Sequence, residues 1–394
     1  MTSSPRAGTL DPTFGAEGHL RLSNATALLP LPDGRFLTAG LLSGAVGATL
    51  FQYLSDGTPD PSFGEQGQVE VPFSHVPGHI TEGNFLPTYI RRQSTGKIIV
   101  AGNLEFESDE SVTMLARIMP DGALDTTFGN AGFTLVNLSP GIEDSVRALE
   151  VHSDDRILML ASTTTPFVST HDMLCRLMAD GTFDFSFGNG GIAPVFPMDN
   201  SLPELALRSD GKLYAAGEGV TRFDDRGRPD DTFGGDGHIA FDFGEEGNLP
   251  QATGIALMSD GRIILAGNGN RLPEFAWIWR LHAPGAPDMS FNNGEPFRSH
   301  IGPTNHATTA LAVAPDGKVI CIGMTFGDSK LTLERLNADG SRDIAFGNDG
   351  IVIMAPPPGT VLMPRAIHVL PDGKLLTFSR LLGASQNMLS RFTG

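Results

Sequence analysis

Seven aspartates recur at one repeat position, Asp11, Asp60, Asp125, Asp184, Asp230, Asp288 and Asp343, each three residues before a phenylalanine. Carboxylates in loops can bind calcium. One carboxylate per loop, however, is far short of the roughly six to eight oxygens that calcium takes. The expectation is therefore structural: the Asp accepts N–H bonds in its own turn and pairs with a nearby cation, while the Phe plugs the gap between repeats. Six arginines are spaced for that pairing, Arg117, Arg176, Arg222, Arg280, Arg335 and Arg391, with Gln52 in the remaining unit. His75 and His79 have a four-residue spacing that suits a metal on a helix, but Pro77 and Gly78 between them deny the helix. With Glu82 they read as part of a partner-binding loop. There is no GxSxG, P-loop or HExxH pattern, and Cys175 and Cys321 form no metal-ligand spacing. The sequence thus assigns no catalytic residue, no metal ligand and no cofactor, and the two cysteines read as buried thiols.

A second set lies seven residues before the first turn of each unit: Thr26, Thr88, Arg147, Pro203, Thr253, Thr309 and Arg365. Four threonines and two arginines around a channel mouth would hold a small anionic or polyol ligand, with Glu150, Glu204 and His368 slightly deeper. The plainer alternative is that these residues start strands and pair locally, Arg147 with Glu143 or Glu150 for instance.

These side chains need elements to position them, and the repeat supplies those. The phenylalanines fall at 14, 63, 128, 187, 233, 291 and 346, a mean period of (346 − 14)/6, about 55 residues. Each unit also carries a turn of the type Asp-Gly-Lys/Arg, as at Asp210-Gly211-Lys212 and Asp316-Gly317-Lys318, with degenerate copies at Thr95-Gly96-Lys97 and Asp154-Asp155-Arg156. Such dipeptides favour tight hairpins because glycine accepts positive φ. Four strands fit each period; in the second unit they are 87–93, 97–102, 112–119 and 132–138. Short hairpin-linked strands with no helical periodicity between them point to an all-β, seven-bladed β-propeller of four-stranded antiparallel blades. The chain stops at a third strand and starts with the fourth, so the N-terminal strand is expected to complete the last blade and close the ring. The expected single domain has blades at about 24–71, 72–138, 139–196, 197–243, 244–299, 300–354 and 355–394, the last completed by 1–23.

The Asp-x-x-Phe-Gly-x-x-Gly element, such as Asp125 to Gly132, and turn-strands such as Asp316-Gly-Lys-Val-Ile resemble the delta-60 repeat of bacterial proteins. The resemblance implies a propeller-like fold and offers no functional residues to carry over. The sixth copy departs from it, with Asn292 after Phe291 and Gly294 one residue early.

Charge narrows the partners. The 394 residues hold 27 Lys+Arg against 45 Asp+Glu, a net −18. That excludes an electrostatic grip on nucleic acid or anionic membrane. Four of the five lysines (Lys97, Lys212, Lys318, Lys374) sit in the first turns, so the opposite, irregular end is the more acidic and suits a neutral or basic protein. Carbohydrate binding and a hydrolase or lyase site in the channel are the alternatives, the former weakened by having only two Trp and three Tyr. No apolar run is long enough to span a membrane. The N-terminus lacks the apolar core of a secretory signal, which suggests a cytoplasmic protein or one exported without such a signal, and a monomer.

Overall fold

The computed structural model describes residues 6–42, 47–71, 84–105, 111–138, 143–165, 169–195, 204–244, 250–269, 275–301, 306–384 and 386–394. They form seven four-stranded antiparallel blades arranged as a closed propeller, with one short 3-10 turn at Asn292–Gly294. The innermost strands, in blade order, are Ala25–Pro30, Asn84–Arg92, Glu143–Val151, Glu204–Leu207, Gln251–Leu257, His306–Val313 and Val361–Val369. Each continues outward through three more antiparallel strands. Blade 7 takes its fourth strand from the N-terminus: His19–Ser23 pairs with Gln386–Phe392. The closure expected from the two chain ends is the closure observed. Blades 2 and 3 are further joined by a parallel bridge, Glu143 to Ser111.

The turns do what their glycines require. At the first hairpin turn Gly34, Gly211, Gly261, Gly317 and Gly373 lie at φ 83–87°, a region that costs other residues a steric penalty. In blade 3 the position is Asp155 at φ 69°, one of the few side chains that tolerate it. The sixth-copy irregularity is accommodated similarly, with Asn292 and Asn293 at φ 46° and 58°.

The near-continuous apolar second strands follow from period-two geometry, because successive side chains point to opposite faces of a sheet and both faces of a blade are covered. Ile98 and Val100 enter the core between blades 1 and 2, while Ile99 and Ala101 enter the core between blades 2 and 3. Seven such clusters occur among the described residues, one per blade interface. Each holds one repeat phenylalanine, with Phe14, Phe63, Phe128, Phe187, Phe233, Phe291 and Phe346 at most 1% exposed. Burial of an aromatic ring at this depth is worth about 3–5 kcal/mol against Ala. Cys175 and Cys321 are free and buried in two of these interfaces.

Candidate functional site

The two ends of the ring have different chemistry. At the turn end, Asp125 shows the pattern. Its Oδ2 receives Arg117 Nε at 2.8 Å and Lys97 Nζ at 2.8 Å. Its Oδ1 accepts the backbone N–H and hydroxyl of Thr127 at 3.1 and 2.6 Å. All seven blades repeat the donors to Oδ2 and the backbone N–H to Oδ1, and six of them the hydroxyl, Ala345 having none. The third-strand donor is Arg391, Gln52, Arg117, Arg176, Arg222, Arg280 or Arg335. The turn cation is Lys374, Arg35, Lys97, Arg156, Lys212, Arg262 or Lys318.

The clasp also crosses to the next blade. Each third-strand guanidinium lies 4.3–5.0 Å from the centre of its repeat Phe ring. Five of them donate to a backbone carbonyl of the following blade, as Arg117 does to Ala179 and Arg222 to Ala283. The residue after every repeat Phe donates its N–H to the adjacent blade, as Gly64 does to Asp121 at 2.9 Å and Asn292 to Asp339 at 2.9 Å. Burial alone would raise the Asp125 pKa, but Lys97, Thr127 and Arg117 together hold it well below the usual carboxylate range. These aspartates are structural, with both oxygens engaged.

The other end carries the residues expected to bind. Six of the innermost strands contain a β-bulge, and the bulged residue is Thr26, Thr88, Arg147, Thr253, Thr309 or Arg365. Pro203 lies outside the described residues, as do His75, His79 and Glu82. A bulge re-aims a side chain and recurs near functional sites. In the four Thr blades it sits against a glycine of the second strand. A Cβ on Gly40, Gly102, Gly267 or Gly323 would come within 1.9–2.1 Å of a backbone carbonyl of the bulged strand. In the two Arg blades the corresponding residues are Ala161 and Ser379.

The threonine hydroxyls are spent on backbone: Thr26 on Ala39 (3.1 Å) and on Pro87, Thr88 on Ala101 (3.4 Å), Thr253 on Thr308 (2.9 Å) and Thr309 on Ile322 (3.2 Å). The arginines differ. Arg147 Nε donates to Ser162 at 3.0 Å, and Ser162 in turn donates to the buried Asp172. Neither Arg147 nor Arg365 forms an ion pair among the described residues. The local pairing of Arg147 with Glu150 is not what forms.

Glu150 pairs instead with Arg91 of blade 2, Nη2 to Oε1 at 2.9 Å. Arg91 and Tyr89 were not among the expected site residues, although Arg91 interrupts a run of small residues on its strand. Tyr89 donates to the Arg147 carbonyl. Glu204, the first residue of the blade 4 inner strand, is exposed to the channel yet surrounded by protein. Burial, opposed by Arg91 and reinforced by Glu150, pushes its pKa up to about 7. His368 is pulled down to about 4, by burial first and then by Arg91. Tyr89 is pushed up to about 12, by burial and then Glu204. The expected mouth and deeper residues are thus joined in one electrostatic neighbourhood. Trp277 and Trp279, by contrast, pack edge-to-face on Phe241 and Phe243. Trp277 is fully buried, and Trp279 donates to Gly294.

The model of a β-propeller domain of unknown function, DUF5122, matches residues 31–63 and 93–128. Both segments run from a first hairpin turn to a repeat phenylalanine, so the similarity rests on the clasp end. No curated protein matches the chain. Among solved structures, the polysaccharide lyase Uly1 superposes with a TM-score of 0.53 at 12% identity, over 100% of this chain and 94% of that one. A PL25 ulvan lyase bound to a GlcA–Rha3S saccharide gives 0.50 at 9%, over 98% and 94%. A puromycin hydrolase mutant gives 0.50 at 15%, over 95% of this chain and 51% of that one. At these identities the likeness is one of fold: the chain is a seven-bladed β-propeller, similar over two of its turn-to-phenylalanine segments to DUF5122.

Proposed function

We propose that this propeller is a non-catalytic binding protein whose ligand, a small anion or polyol, sits at the bulged end of the channel. One observation carries the reading. At an otherwise repeated position four blades place a Thr whose hydroxyl is consumed by backbone, whereas blades 3 and 7 place Arg147 and Arg365, which form no ion pair among the described residues. Features common to every blade belong to the fold, and departures from them are where a binding site is sought. A neutral or basic protein as a further partner is compatible with this. The carbohydrate-binding alternative would work without stacking on tryptophan, since both indoles are packed. The test is thermal shift with citrate and glucuronate. Arg147→Ala/Arg365→Ala should abolish a shift seen in the unaltered protein, and an unchanged shift overturns the reading.

A hydrolase or lyase in the channel is a second reading. It is favoured by Glu204, which with a pKa near 7 can give or take a proton at neutral pH, and by neutral His368 nearby. Two of the fold neighbours are named polysaccharide lyases. Incubation with a uronate-containing polysaccharide, followed by ultraviolet absorbance of an unsaturated chain end, tests it; absence of product ends it for that substrate class.

A further inference from the structure

Toward the turn end, most seams between neighbouring blades are plugged by one side chain, two residues past the last glycine of the repeat. Val69 lies over Gly64 of its own blade and Gly122 of the next. Thr134 lies over Gly129 and Gly181, Ile239 over Gly234 and Gly285, Val352 over Gly347 and Gly8, and Leu20 against Gly57. In the seam between blades 5 and 6 the irregular loop takes the place, with Asn292 beside Gly340. The glycines make room for the plug: a Cβ on Gly122 would come within 2.4 Å of Val69 Cγ2. Between blades 3 and 4 the glycines are kept, as Gly188 and Gly227, but the plug shrinks to Ala193. A cavity of about 410 Å³ lies there, walled by Ile192, Ala193 and Pro194 of blade 3 and Pro229 of blade 4. That volume falls in the range of small-ligand sites.

Charge departs from the repeat at the same seam. The residue before the glycine of the turn from third to fourth strand is Asp56, Asp121, Asp180 and Asp339 in blades 1, 2, 3 and 6. Each folds back on a backbone N–H two residues on, at 2.9–3.0 Å. Blade 4 has Arg226 there, a reversal of sign. Asp224 takes over the turn, accepting the N–H groups of Arg226 and Arg228, both at 2.9 Å, and pairing with the Arg228 guanidinium at 2.7 Å. The Arg226 guanidinium has no hydrogen bond or ion pair among the described residues. Both arginines line the cavity, and among the described residues no carboxylate does; Asp225 and Asp231 are exposed outside it. The clasps of Asp184 and Asp230 on either side are closed as elsewhere. A missing plug and a reversed charge thus meet in one place, and the other blades show that the fold requires neither.

We infer that the seam between blades 3 and 4 is a second binding site, for a small monocarboxylate with an aromatic or aliphatic body. The body takes the space that Val69 or Ile239 fills in other seams, against Ala193 and Pro194, where its apolar area leaves water. The carboxylate meets Arg226, whose planar guanidinium can donate two parallel hydrogen bonds to it. One free guanidinium answers one carboxylate, since Arg228 is already answered by Asp224. The site is at the opposite end of the blades from the channel mouth and does not rest on the reading given for the mouth.

The experiment is titration calorimetry with 3-phenylpropionate, with neutral 3-phenylpropanol and acetate as comparisons. 3-Phenylpropionate should bind to the unaltered protein, 3-phenylpropanol at least about tenfold more weakly for want of the charged hydrogen bonds, and acetate not at all. Two variants each install what other blades carry, which the seam has the glycines and the turn to accept. Ala193→Val should abolish binding. Arg226→Asp should weaken the acid at least about tenfold and leave the alcohol as it was. Arg147→Ala/Arg365→Ala should bind the acid as the unaltered protein does. No binding of the acid by the unaltered protein, undiminished binding by Ala193→Val, or loss of binding in Arg147→Ala/Arg365→Ala overturns the seam site. Equal affinity for acid and alcohol overturns the part given to Arg226. That last comparison is made on the unaltered protein and does not depend on a variant folding.

Discussion

The turn end and the bulged end of this ring are built from the same strands, yet one closes its charges and the other leaves them open. At the turn end every repeat aspartate meets a third-strand donor and a turn cation, seven times over. At the bulged end Arg365 and Glu204 have no hydrogen-bond or ion-pair partner among the described residues. Both side chains are exposed, so solvent carries their charge until a ligand meets it. One end pairs every repeat aspartate; the other, beside the Arg91–Glu150 pair, leaves Arg365 and Glu204 open among the described residues, and a ligand supplies a use for that.

The comparison is broken most severely by opening a clasp. Asp230 holds Arg222 Nε at 2.8 Å and Lys212 Nζ at 2.7 Å, and both it and Arg222 are 6% exposed. Asp230→Ala leaves a buried guanidinium uncompensated and should cost about 3–5 kcal/mol in denaturant unfolding. A loss below about 1 kcal/mol would mean the clasp is decorative. The same site sets the acid limit. Burial alone would raise the Asp230 pKa, but Lys212, Thr232 and Arg222 hold it below its unfolded value. Its contribution is therefore present above the unfolded carboxylate pKa, near 4, and is lost as pH falls below that. The variant should show a weaker acid-side decline than the unaltered protein.

A smaller effect is expected from disturbing a bulge. A Cβ at Gly102 would sit 2.0 Å from the Leu86 carbonyl oxygen, so Gly102→Ala forces the blade 2 inner strand outward at Thr88. Overpacking of this kind costs about 1–3 kcal/mol. Because Tyr89 and Arg91 follow on the same strand, the citrate-induced shift should shrink with it. A variant that loses stability but keeps the full shift would separate the bulge from the binding mouth.

How far each end was legible in the sequence follows from the same contrast. The clasp recurs with the period, so seven copies of Asp, Phe and turn cation announce both the residues and their pairing. Thr26, Thr88, Arg147, Thr253, Thr309 and Arg365 were also marked by their fixed offset. The bulge that aims them was not, since its only trace is a glycine such as Gly102 or Gly267 in the neighbouring strand. Arg91 and Tyr89 were missed because their partners, Glu150 and the Arg147 carbonyl, lie 59 and 58 residues away on the next blade. A repeat period says which residues are equivalent; it does not say which non-equivalent ones meet across a channel.

The finest test uses the clasp that has no third-strand arginine. In blade 1 the third-strand donor is Gln52, whose Nε2 reaches Asp60 at 2.7 Å, while Arg35 supplies the charge at 2.9 Å. The amide is too short to cross to the next blade as Arg117 does to Ala179, where the matching carbonyl would be that of Pro120. Two arginines do fit one aspartate, as Arg262 and Arg280 do at Asp288, both at 2.7 Å. Gln52→Arg should therefore restore the inter-blade hydrogen bond and a guanidinium over Phe63, for a gain of up to about 1 kcal/mol. The channel end should not register the change, so citrate binding stays as it was. A loss of stability would indicate that Arg35 already fills the space the other blades give their third-strand arginine. A change in binding would mean that the two ends are coupled through the blade, and that the division between a closed end and an open one is drawn too sharply.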